Sequence, residues 1–342
     1  MSISFLSKDW RCIRATYARR WATAIVAIAL ALVLTGLRAE PVSASTARQV
    51  CVLVPHFKDE YWLSVGYGLE QEAQHHDIDL LFYEAGGYHA RATQIAQLDD
   101  CATRGVDAIL IGTVTSDHDE LLTALHEVSS QVPVFGLVNE LRSPDLSGRI
   151  GVDWRQMGLV LGGYLAQLHP AGTASQRAVI VSGPSESGWA GPLEQGLREG
   201  LAQSSIKIIA VFGADTGLRQ QLALVEEAFA TIPQVDLLIG SAPAVEAAIG
   251  LTSSTGEKSD VRLAATYISH TIKRSVANGR VLAVPYDDPI LQGVLAIRQM
   301  LTVLETGQRA APDGPEVELV SVENNLIDVV VLSPAEYFPV IQ

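Results

Sequence analysis

The feature of this sequence that most constrains its fold is a regular alternation of short apolar runs with longer helical stretches. The apolar runs are rich in Val, Ile and Leu, as expected for strands. They lie at 50–54, 78–83, 107–112 and 132–138 in a first series, and at 177–182, 206–212, 235–240, 261–267 and 280–284 in a second. Continuous apolar strands that alternate with helices are typical of parallel sheets buried on both faces. The two series therefore predict an α/β protein with two doubly wound lobes.

The order of the later segments predicts how the chain passes between these lobes. A predicted helix over 289–306 follows the second series, and a strand-rich segment over 315–332 comes after it. This segment is too short for a domain of its own, so we expect one lobe to take the helix and the other the last strands. The predicted N-terminal lobe comprises residues 45–153 and 286–310, and the predicted C-terminal lobe comprises residues 154–285 and 311–342.

Residues 1–44 have the pattern of a signal peptide. Five basic residues between Lys8 and Arg20 precede the apolar stretch Ala22–Leu34, and Val42-Ser43-Ala44 supplies a cleavage site. Arg19-Arg20 raises twin-arginine export, but its flanking residues lack the full motif. The apolar stretch is short for a membrane-spanning helix of ~20 residues, so an uncleaved anchor is the weaker alternative. We therefore expect export to the periplasm.

The exported chain is strongly acidic. Without residues 1–44 it holds 18 Lys and Arg against 36 Asp and Glu, a formal charge of −18. DNA, RNA and anionic membrane surfaces all require a basic footprint on the protein. The charge therefore excludes nucleic acid as a partner and argues against membrane binding after the signal is removed.

Two cysteines remain in the exported chain, Cys51 and Cys101. An even number of cysteines in an oxidising compartment is consistent with a disulfide. Two buried free thiols are the alternative, because free cysteine packs like a small apolar residue. The sequence leaves both possibilities open.

Motifs for catalysis and for cofactors do not stand out. The chain lacks the GxxxxGK[ST] phosphate loop, and "SGPSESG" at 182–188 does not match the GxSxG nucleophile motif. "SDHDE" at 116–120 could suggest a metal, but it is more typical of the acidic first turn of a helix. We expect neither an enzyme nor a bound cofactor.

Large aromatic side chains gather where the predicted strands end. In open α/β sheets, ligands bind at these carboxyl ends. The residues at these positions are Asp59, Tyr61, Trp62, Tyr88, Trp154, Tyr267, Tyr286 and Asp287. Each could be an ordinary half-buried residue, but their occurrence along one edge of both lobes indicates a cleft walled by aromatic rings.

An aromatic cleft suits either the apolar face of a sugar or a methylated cation, which is attracted to the ring quadrupole. A sugar also requires many Asn, Asp, Gln and Arg side chains for its hydroxyl groups, and these loops contain few. The composition of the loops therefore favours a methylated cation, with Asp59 as its countercharge or hydrogen-bond partner.

Several unusual motifs resemble a known family. "KDEYWLS", "EAGGY", "RIGVDWRQMG" and "YISH" are similar to motifs of a type I periplasmic binding protein, and the resemblance covers residues 50 to 340. It implies two Rossmann-like lobes joined by three crossovers, and a cleft that binds trimethylamine N-oxide. It also implies docking on the periplasmic sensor domain of a membrane histidine kinase.

The same resemblance implies a set of ligand-binding residues. They are Asp59, Tyr61, Trp62, Tyr88, Trp154, Tyr267 and Asp287, while Trp189 lies outside the matching motifs and is not assigned. Cys51 and Cys101 also stand where the family has cysteines. The alternatives are a sugar or autoinducer receptor for an ABC transporter or another kinase, a periplasmic enzyme, and a repressor built on the same fold.

Overall fold

We describe residues 47–255, 260–324 and 326–342 from a computed structural model of the chain. The predicted signal peptide, residues 1–44, lies outside this range. Within the described range, no helix combines the length and the apolar character needed to cross a membrane.

The N-terminal lobe is built on a parallel sheet of five strands in the order β2-β1-β3-β4-β5. Its central strands β3 and β4 are buried along their whole length, which explains why their sequences are continuously apolar. The elements are β1 (Arg48–Val54), α1 (Glu60–His75), β2 (Ile78–Glu84), α2 (Arg91–Arg104), β3 (Ala108–Ile111), α3 (Asp119–Ser129), β4 (Val134–Val138) and β5 (Gly148–Gly151).

The C-terminal lobe repeats this plan with a parallel sheet in the order β7-β6-β8-β9. A bridge between Leu263 and Val281 carries the sheet on towards β10, which pairs antiparallel with β11. The elements are α4 (Trp154–Leu168), β6 (Gln176–Ser182), α5 (Ala190–Gly200), β7 (Ile206–Gly213), α6 (Leu218–Thr231), β8 (Leu237–Gly240), α7 (Ala242–Thr255), β9 (Arg262–Ala265), α8 (His270–Ala277), β10 (Ala283–Tyr286) and β11 (Glu318–Ser321). Between β10 and β11 in the sequence lies α9 (Pro289–Thr306), which packs on the N-terminal lobe.

Three crossovers join the lobes, and they confirm the predicted fold. The chain passes to the C-terminal lobe after β5, returns after β10 to place α9 on the N-terminal lobe, and crosses again before β11. Helix α9 packs directly on α1 through glycines. A Cβ atom on Gly68 would lie 2.0 Å from the Ile290 carbonyl oxygen, so only glycine allows the two backbones to come this close.

The end of the chain differs from the prediction. Within the described residues of the segment 315–332, the secondary structure consists of the short strand β11 and a 3₁₀ turn, Leu326–Asp328. Beyond it, Ile341 pairs with Phe82, and the Gln342 N–H donates to the Phe82 carbonyl at 2.9 Å. Strand β2 is an edge strand, and an uncovered edge presents unpaired backbone groups. The end of the chain thus covers the β2 edge of the N-terminal lobe, although the sequence places it with the C-terminal lobe, and the division into lobes stays a proposal.

A disulfide joins Cys51 on β1 to Cys101 on α2. The two Cα atoms are 6.3 Å apart, and both side chains are fully buried. The bond ties α2 to the central part of the N-terminal sheet, next to the turn that begins α1.

We expect replacement of both residues by alanine to lower the free energy of unfolding by about 4 kcal/mol, because the bond closes a loop across a separation of 50 residues. Urea unfolding of the exported chain and of the double variant measures this difference. Intact mass after alkylation of denatured, unreduced protein is the control. Two alkylated cysteines in that sample would show that the bond does not form.

Candidate ligand-binding site between the lobes

A small cavity lies between the lobes at the carboxyl ends of their strands. Most of the side chains around it are aromatic, and all of the aromatic ones are less than one-tenth exposed. The lining residues are Asp59, Tyr61, Trp62, Tyr88, Val138, Asn139, Trp154, Trp189, Thr216 and Tyr267. Six of the seven predicted ligand-binding residues are therefore brought together. Whether they bind a ligand stays a prediction.

The turn between β1 and α1 explains why a tyrosine and a tryptophan are adjacent in the sequence, at positions 61 and 62. Asp59 caps α1 by accepting the Tyr61 N–H at 3.1 Å, which starts the helix at the tip of the strand. Tyr61 and Trp62 then occupy its first turn, and their ring centroids are 6.3 Å apart. The helix start therefore directs both rings into the cavity.

The rings from the two lobes form a continuous box. Trp189 is at its centre, with ring centroids 5.6 Å from Trp154, 5.7 Å from Tyr267 and 6.5 Å from Tyr88. Tyr61 is a further ring of the box, and its centroid lies 5.5 Å from that of Tyr267. Most pairs are tilted or edge-to-face, the arrangements that aromatic rings prefer. All three tryptophans that follow the predicted signal peptide contribute to this box.

Asp59 places a carboxylate at the wall of the box. The Tyr267 hydroxyl donates to its Oδ2 at 2.5 Å, and this hydrogen bond links the two lobes. Burial raises the pKa of Asp59, while the hydrogen bond from Tyr267 opposes that rise. The site can therefore present a carboxylate only because neighbouring donors stabilise its charge.

Asp287 differs from the other predicted residues, because it does not line the cavity. It lies behind Tyr61, whose hydroxyl donates to its Oδ2 at 2.6 Å, and Gln292 donates to the same oxygen at 3.1 Å. Burial raises the pKa of Asp287 to about 6. Its position is that of a residue that orients Tyr61. Tyr286 also lies outside the cavity and hydrogen-bonds to the backbone of Val331.

Tyr88 has the most informative hydrogen bonds in the cavity. Its hydroxyl oxygen accepts the Trp189 indole N–H at 3.1 Å and the Asn139 amide at 3.3 Å. Burial raises its pKa well above the ordinary value, so it keeps its proton. Among the described residues no acceptor takes that proton. The proton of the Tyr88 hydroxyl is therefore available to an acceptor in the cavity.

A second polar link between the lobes lies next to the box. His56, which is fully buried, contacts Asp215 Oδ1 at 3.0 Å and Thr216 Oγ1 at 3.1 Å. Burial opposes ionisation of Asp215, but the hydrogen bond and charge of His56 outweigh it and lower the pKa of that carboxyl. Gly87 has a φ of +150°, and a Cβ atom there would lie 2.3 Å from Asp215 Oδ2, so the position requires glycine.

The sequence reasoning missed three polar or aromatic members of the wall. Trp189 was left out because it matched no motif, although it follows β6 as Trp62 follows β1. Asn139 and Thr216 also follow strands, but single polar residues at such positions are common and carry little signal. His118 caps α3 by accepting the Glu120 N–H, and no group of three potential metal ligands occurs within the described part of the chain.

Comparison with known proteins places the chain among bacterial binding proteins. A family model described as a periplasmic binding protein domain matches residues 50–309. The periplasmic protein TorT of Escherichia coli strain K12 is 34% identical over 265 residues, which is 78% of this chain and 75% of TorT. The chain belongs to the periplasmic binding protein family.

Solved structures of two similar proteins share this fold. One is the TorS sensor domain–TorT complex, solved in the absence of ligand and in the presence of TMAO. In each, the matched chain is 33% identical, with a TM-score of 0.74, covering 86% of this chain and 100% of that one. The other is an ABC transporter solute binding protein from Bradyrhizobium sp. BTAi1 with bound bis-tris. It is 34% identical with a TM-score of 0.71, covering 87% of this chain and 90% of that one.

Two glycines provide the space for the box, and this leads to a test of its geometry. A Cβ atom on Gly112 would lie 2.2 Å from Trp62, and one on Gly183 would lie 2.2 Å from Trp189. We expect Gly112→Ala and Gly183→Ala each to displace one indole and to lower the free energy of unfolding by ~1–3 kcal/mol. Near-ultraviolet circular dichroism and urea unfolding measure both effects.

Gly163→Ala is the matched control. Gly163 lies within α4, where an added Cβ atom meets nothing within 4 Å, so alanine should raise stability by up to ~1 kcal/mol. Its aromatic circular dichroism should equal that of the parent. If Gly112→Ala and Gly183→Ala behaved like this control, the indoles would not lie where we describe them.

Proposed function

We propose that this protein binds trimethylamine N-oxide in the cavity between its lobes and presents its occupancy to the periplasmic sensor domain of a TorS-like membrane histidine kinase. It would thereby regulate trimethylamine N-oxide respiration as part of a two-component signalling system. The observation that carries the proposal is an aromatic box with one hydroxyl, that of Tyr88, arranged to donate into it.

The rings suit the methylated nitrogen of this ligand. Its nitrogen bears a formal positive charge spread over three methyl groups, and such a group is attracted to the faces of aromatic rings. A desolvated contact of this kind contributes ~2 kcal/mol or more. Tyr61, Trp62, Trp154, Trp189 and Tyr267 supply the walls, and Asp59 lies at the same side as the Tyr267 hydroxyl.

The oxygen of the ligand requires a donor, and Tyr88 supplies it. Because the oxygen of Tyr88 already accepts two N–H groups, its proton is left for an acceptor in the cavity. A methylated cation that lacks an acceptor would fill the box but leave this donor unsatisfied, which costs ~1–3 kcal/mol. The site therefore favours an amine oxide over a simple quaternary ammonium ion.

A sugar or autoinducer receptor for an ABC transporter or another sensor kinase is the second candidate. The transporter protein from Bradyrhizobium favours it, since it is as similar in sequence as TorT. Against a sugar, the polar side chains of the wall are Asp59, Asn139 and Thr216, and each already has a protein partner. Sugars that raise the melting temperature more than methylated amines do would favour this candidate.

We expect Trp62→Ala and Trp154→Ala each to weaken binding of trimethylamine N-oxide at least tenfold, which is ~1.4 kcal/mol, measured by titration calorimetry. A small ligand has few contacts, so losing one wall removes a large share of them. Trp62→Phe should lose less because a ring face remains. Asp59→Asn keeps the shape of the wall and measures the contribution of the charge.

The variant Tyr88→Phe tests whether this hydroxyl recognises the oxygen of the ligand. The parent should bind trimethylamine N-oxide more tightly than tetramethylammonium, and Tyr88→Phe should remove that preference. Tyr164→Phe, remote from the cavity on α4, is the control and should bind like the parent.

Unchanged binding by folded Trp62→Ala and Trp154→Ala proteins would contradict the aromatic box. Recovery of the ligand chemically unchanged would agree with a receptor and not an enzyme.

Signalling requires that the sensor domain distinguish the occupied from the unoccupied protein. We expect trimethylamine N-oxide to change the affinity or the geometry of the complex with the sensor domain. If affinity changes, the sensor domain must change ligand affinity by the same factor, because the coupling is reciprocal. Calorimetric titrations in both orders, with small-angle scattering of the complex, measure this. Identical complexes and affinities with and without ligand would exclude a signalling role.

A further inference from the structure

Val138, the last residue of β4, has a backbone conformation that is rare for its residue type. Its φ is +64°, in the left-handed region where the Cβ atom of an L-residue crowds the backbone. Among the described residues, the other non-glycine residues with positive φ are Asp77 and Asp288. Aspartate tolerates this region because its short polar side chain can hydrogen-bond locally. Valine has no such compensation, so the backbone at Val138 is strained.

The neighbouring residues hold Val138 in this conformation. The Asn139 N–H donates to the Leu137 carbonyl at 2.7 Å, which closes a γ-turn centred on Val138, and γ-turns with positive φ are rare and strained. The Val138 carbonyl accepts the Trp154 indole N–H at 3.2 Å. On β5, Gly151 pairs with Val138, and a Cβ atom there would lie 2.7 Å from the same carbonyl oxygen. These contacts together fix the turn.

The turn changes the face of the sheet on which Val138 packs. Along an extended strand, residues i, i+2 and i+4 share one face. Val134 packs in the apolar cluster that includes side chains of α2 and α3, and regular alternation would place Val138 with it. Val138 packs instead in the cluster that contains the rings of the box, as the preceding Leu137 also does. The left-handed residue therefore brings two consecutive side chains to the side of the cavity.

Val138 also differs in chemistry from the rest of the wall. Among the described residues that line the cavity it is the one aliphatic residue, and it is 1% exposed. An aliphatic side chain offers neither a ring face to a cation nor a hydrogen bond, so it contributes volume. Glycine would adopt the same backbone conformation without strain. The backbone alone therefore does not require a valine here.

The position of Val138 relates its volume to both ends of the proposed ligand. Its carbonyl binds the indole of Trp154, one of the rings proposed to contact the methylated nitrogen. The next residue, Asn139, donates to the oxygen of Tyr88 at 3.3 Å, and the Tyr88 hydroxyl is proposed to bind the ligand oxygen. A ligand that contacts both Trp154 and Tyr88 in this small cavity therefore lies beside Val138.

We propose that Val138 determines the size of the amine oxide that the cavity accepts, and that its γ-turn brings the side chain into the wall. This inference rests on the proposed function and assigns a specificity-determining residue to the same site. Protein interiors are close-packed, and an added methylene in a filled space is destabilising. A valine beside the three methyl groups of trimethylamine N-oxide therefore excludes a longer alkyl group.

The test compares the same two substitutions at Val138 and at Val134. Val134 is the matched control, because it is a fully buried valine on the same strand but packs in the other cluster and does not line the cavity. The variants are Val138→Ala, Val138→Gly, Val134→Ala and Val134→Gly. Each is titrated by calorimetry with trimethylamine N-oxide and with ethyldimethylamine N-oxide, which is longer by one methylene. Thermal unfolding of each without ligand is followed by circular dichroism.

We expect the parent and Val134→Ala to prefer trimethylamine N-oxide at least about tenfold over the ethyl compound. Val138→Ala and Val138→Gly should lower this preference to about threefold or less, because the space left by the γ-methyl groups admits the added carbon.

The unfolding temperatures test the turn itself. At Val138, glycine should unfold roughly 2–4 °C above alanine because it relieves the strain. At Val134, glycine should unfold below alanine, as in an ordinary strand.

Four results would overturn the inference. If the parent binds trimethylamine N-oxide and both Val138 variants keep its size preference, another residue sets the size and the proposed function stands. If Val134→Ala also loses the preference, loosening of the sheet and not the wall changes selectivity. If Val138→Gly unfolds below Val138→Ala, the turn is not strained. If the parent binds neither amine oxide, the proposed function fails and the role of Val138 in selecting size fails with it.

Discussion

The hydrogen bond from Tyr267 to Asp59 is the interaction on which the site depends. A carboxylate removed from water is costly unless donors replace its hydration. Asp59 has the Tyr61 N–H from its own lobe and the Tyr267 hydroxyl from the other, at 2.5 Å. The second donor reaches it only when the lobes are together. In an open arrangement water would have to take the place of Tyr267 as a donor to this carboxylate.

Much of this architecture could be predicted from residues alone. Continuous apolar strands such as "AILI" in β3 are buried on both faces, so the sequence predicts a parallel sheet and places ligand-binding residues at its carboxyl edge. That rule predicts that Tyr61, Tyr88 and Tyr267 lie at one edge, and the structure places all three around one cavity. It works because the direction of a parallel strand fixes the edge at which its loop emerges.

What escaped prediction depended on contacts between distant parts of the chain. Asp287 was expected in the ligand shell, but its side chain lies behind Tyr61, because α9 packs on α1 through Gly68 and Gly293. Trp189 joins the box only because Gly183 leaves room for its indole. The last residues of the chain cover the β2 edge of the N-terminal sheet, and the sequence does not predict this, because an apolar segment does not reveal which sheet edge it covers. In each case the deciding factor is tertiary packing, which no local pattern encodes.

Under the proposed function, the selectivity of the cavity would belong to the arrangement in which both lobes contribute and not to either lobe alone. The two N–H groups that fill the Tyr88 oxygen come from different lobes, Asn139 from the N-terminal lobe and Trp189 from the C-terminal lobe. With these acceptor positions of the oxygen occupied, the hydroxyl can make a further hydrogen bond only as a donor. In an open arrangement water would satisfy the same hydroxyl, so ligands with and without an oxygen would bind one lobe with similar affinity. If the cavity binds an amine oxide as we propose, discrimination would arise as the lobes close, because a ligand that lacks an acceptor would leave the Tyr88 proton unsatisfied in the closed cavity. Under that proposal, recognition of the ligand and the conformational response of the protein would be the same event.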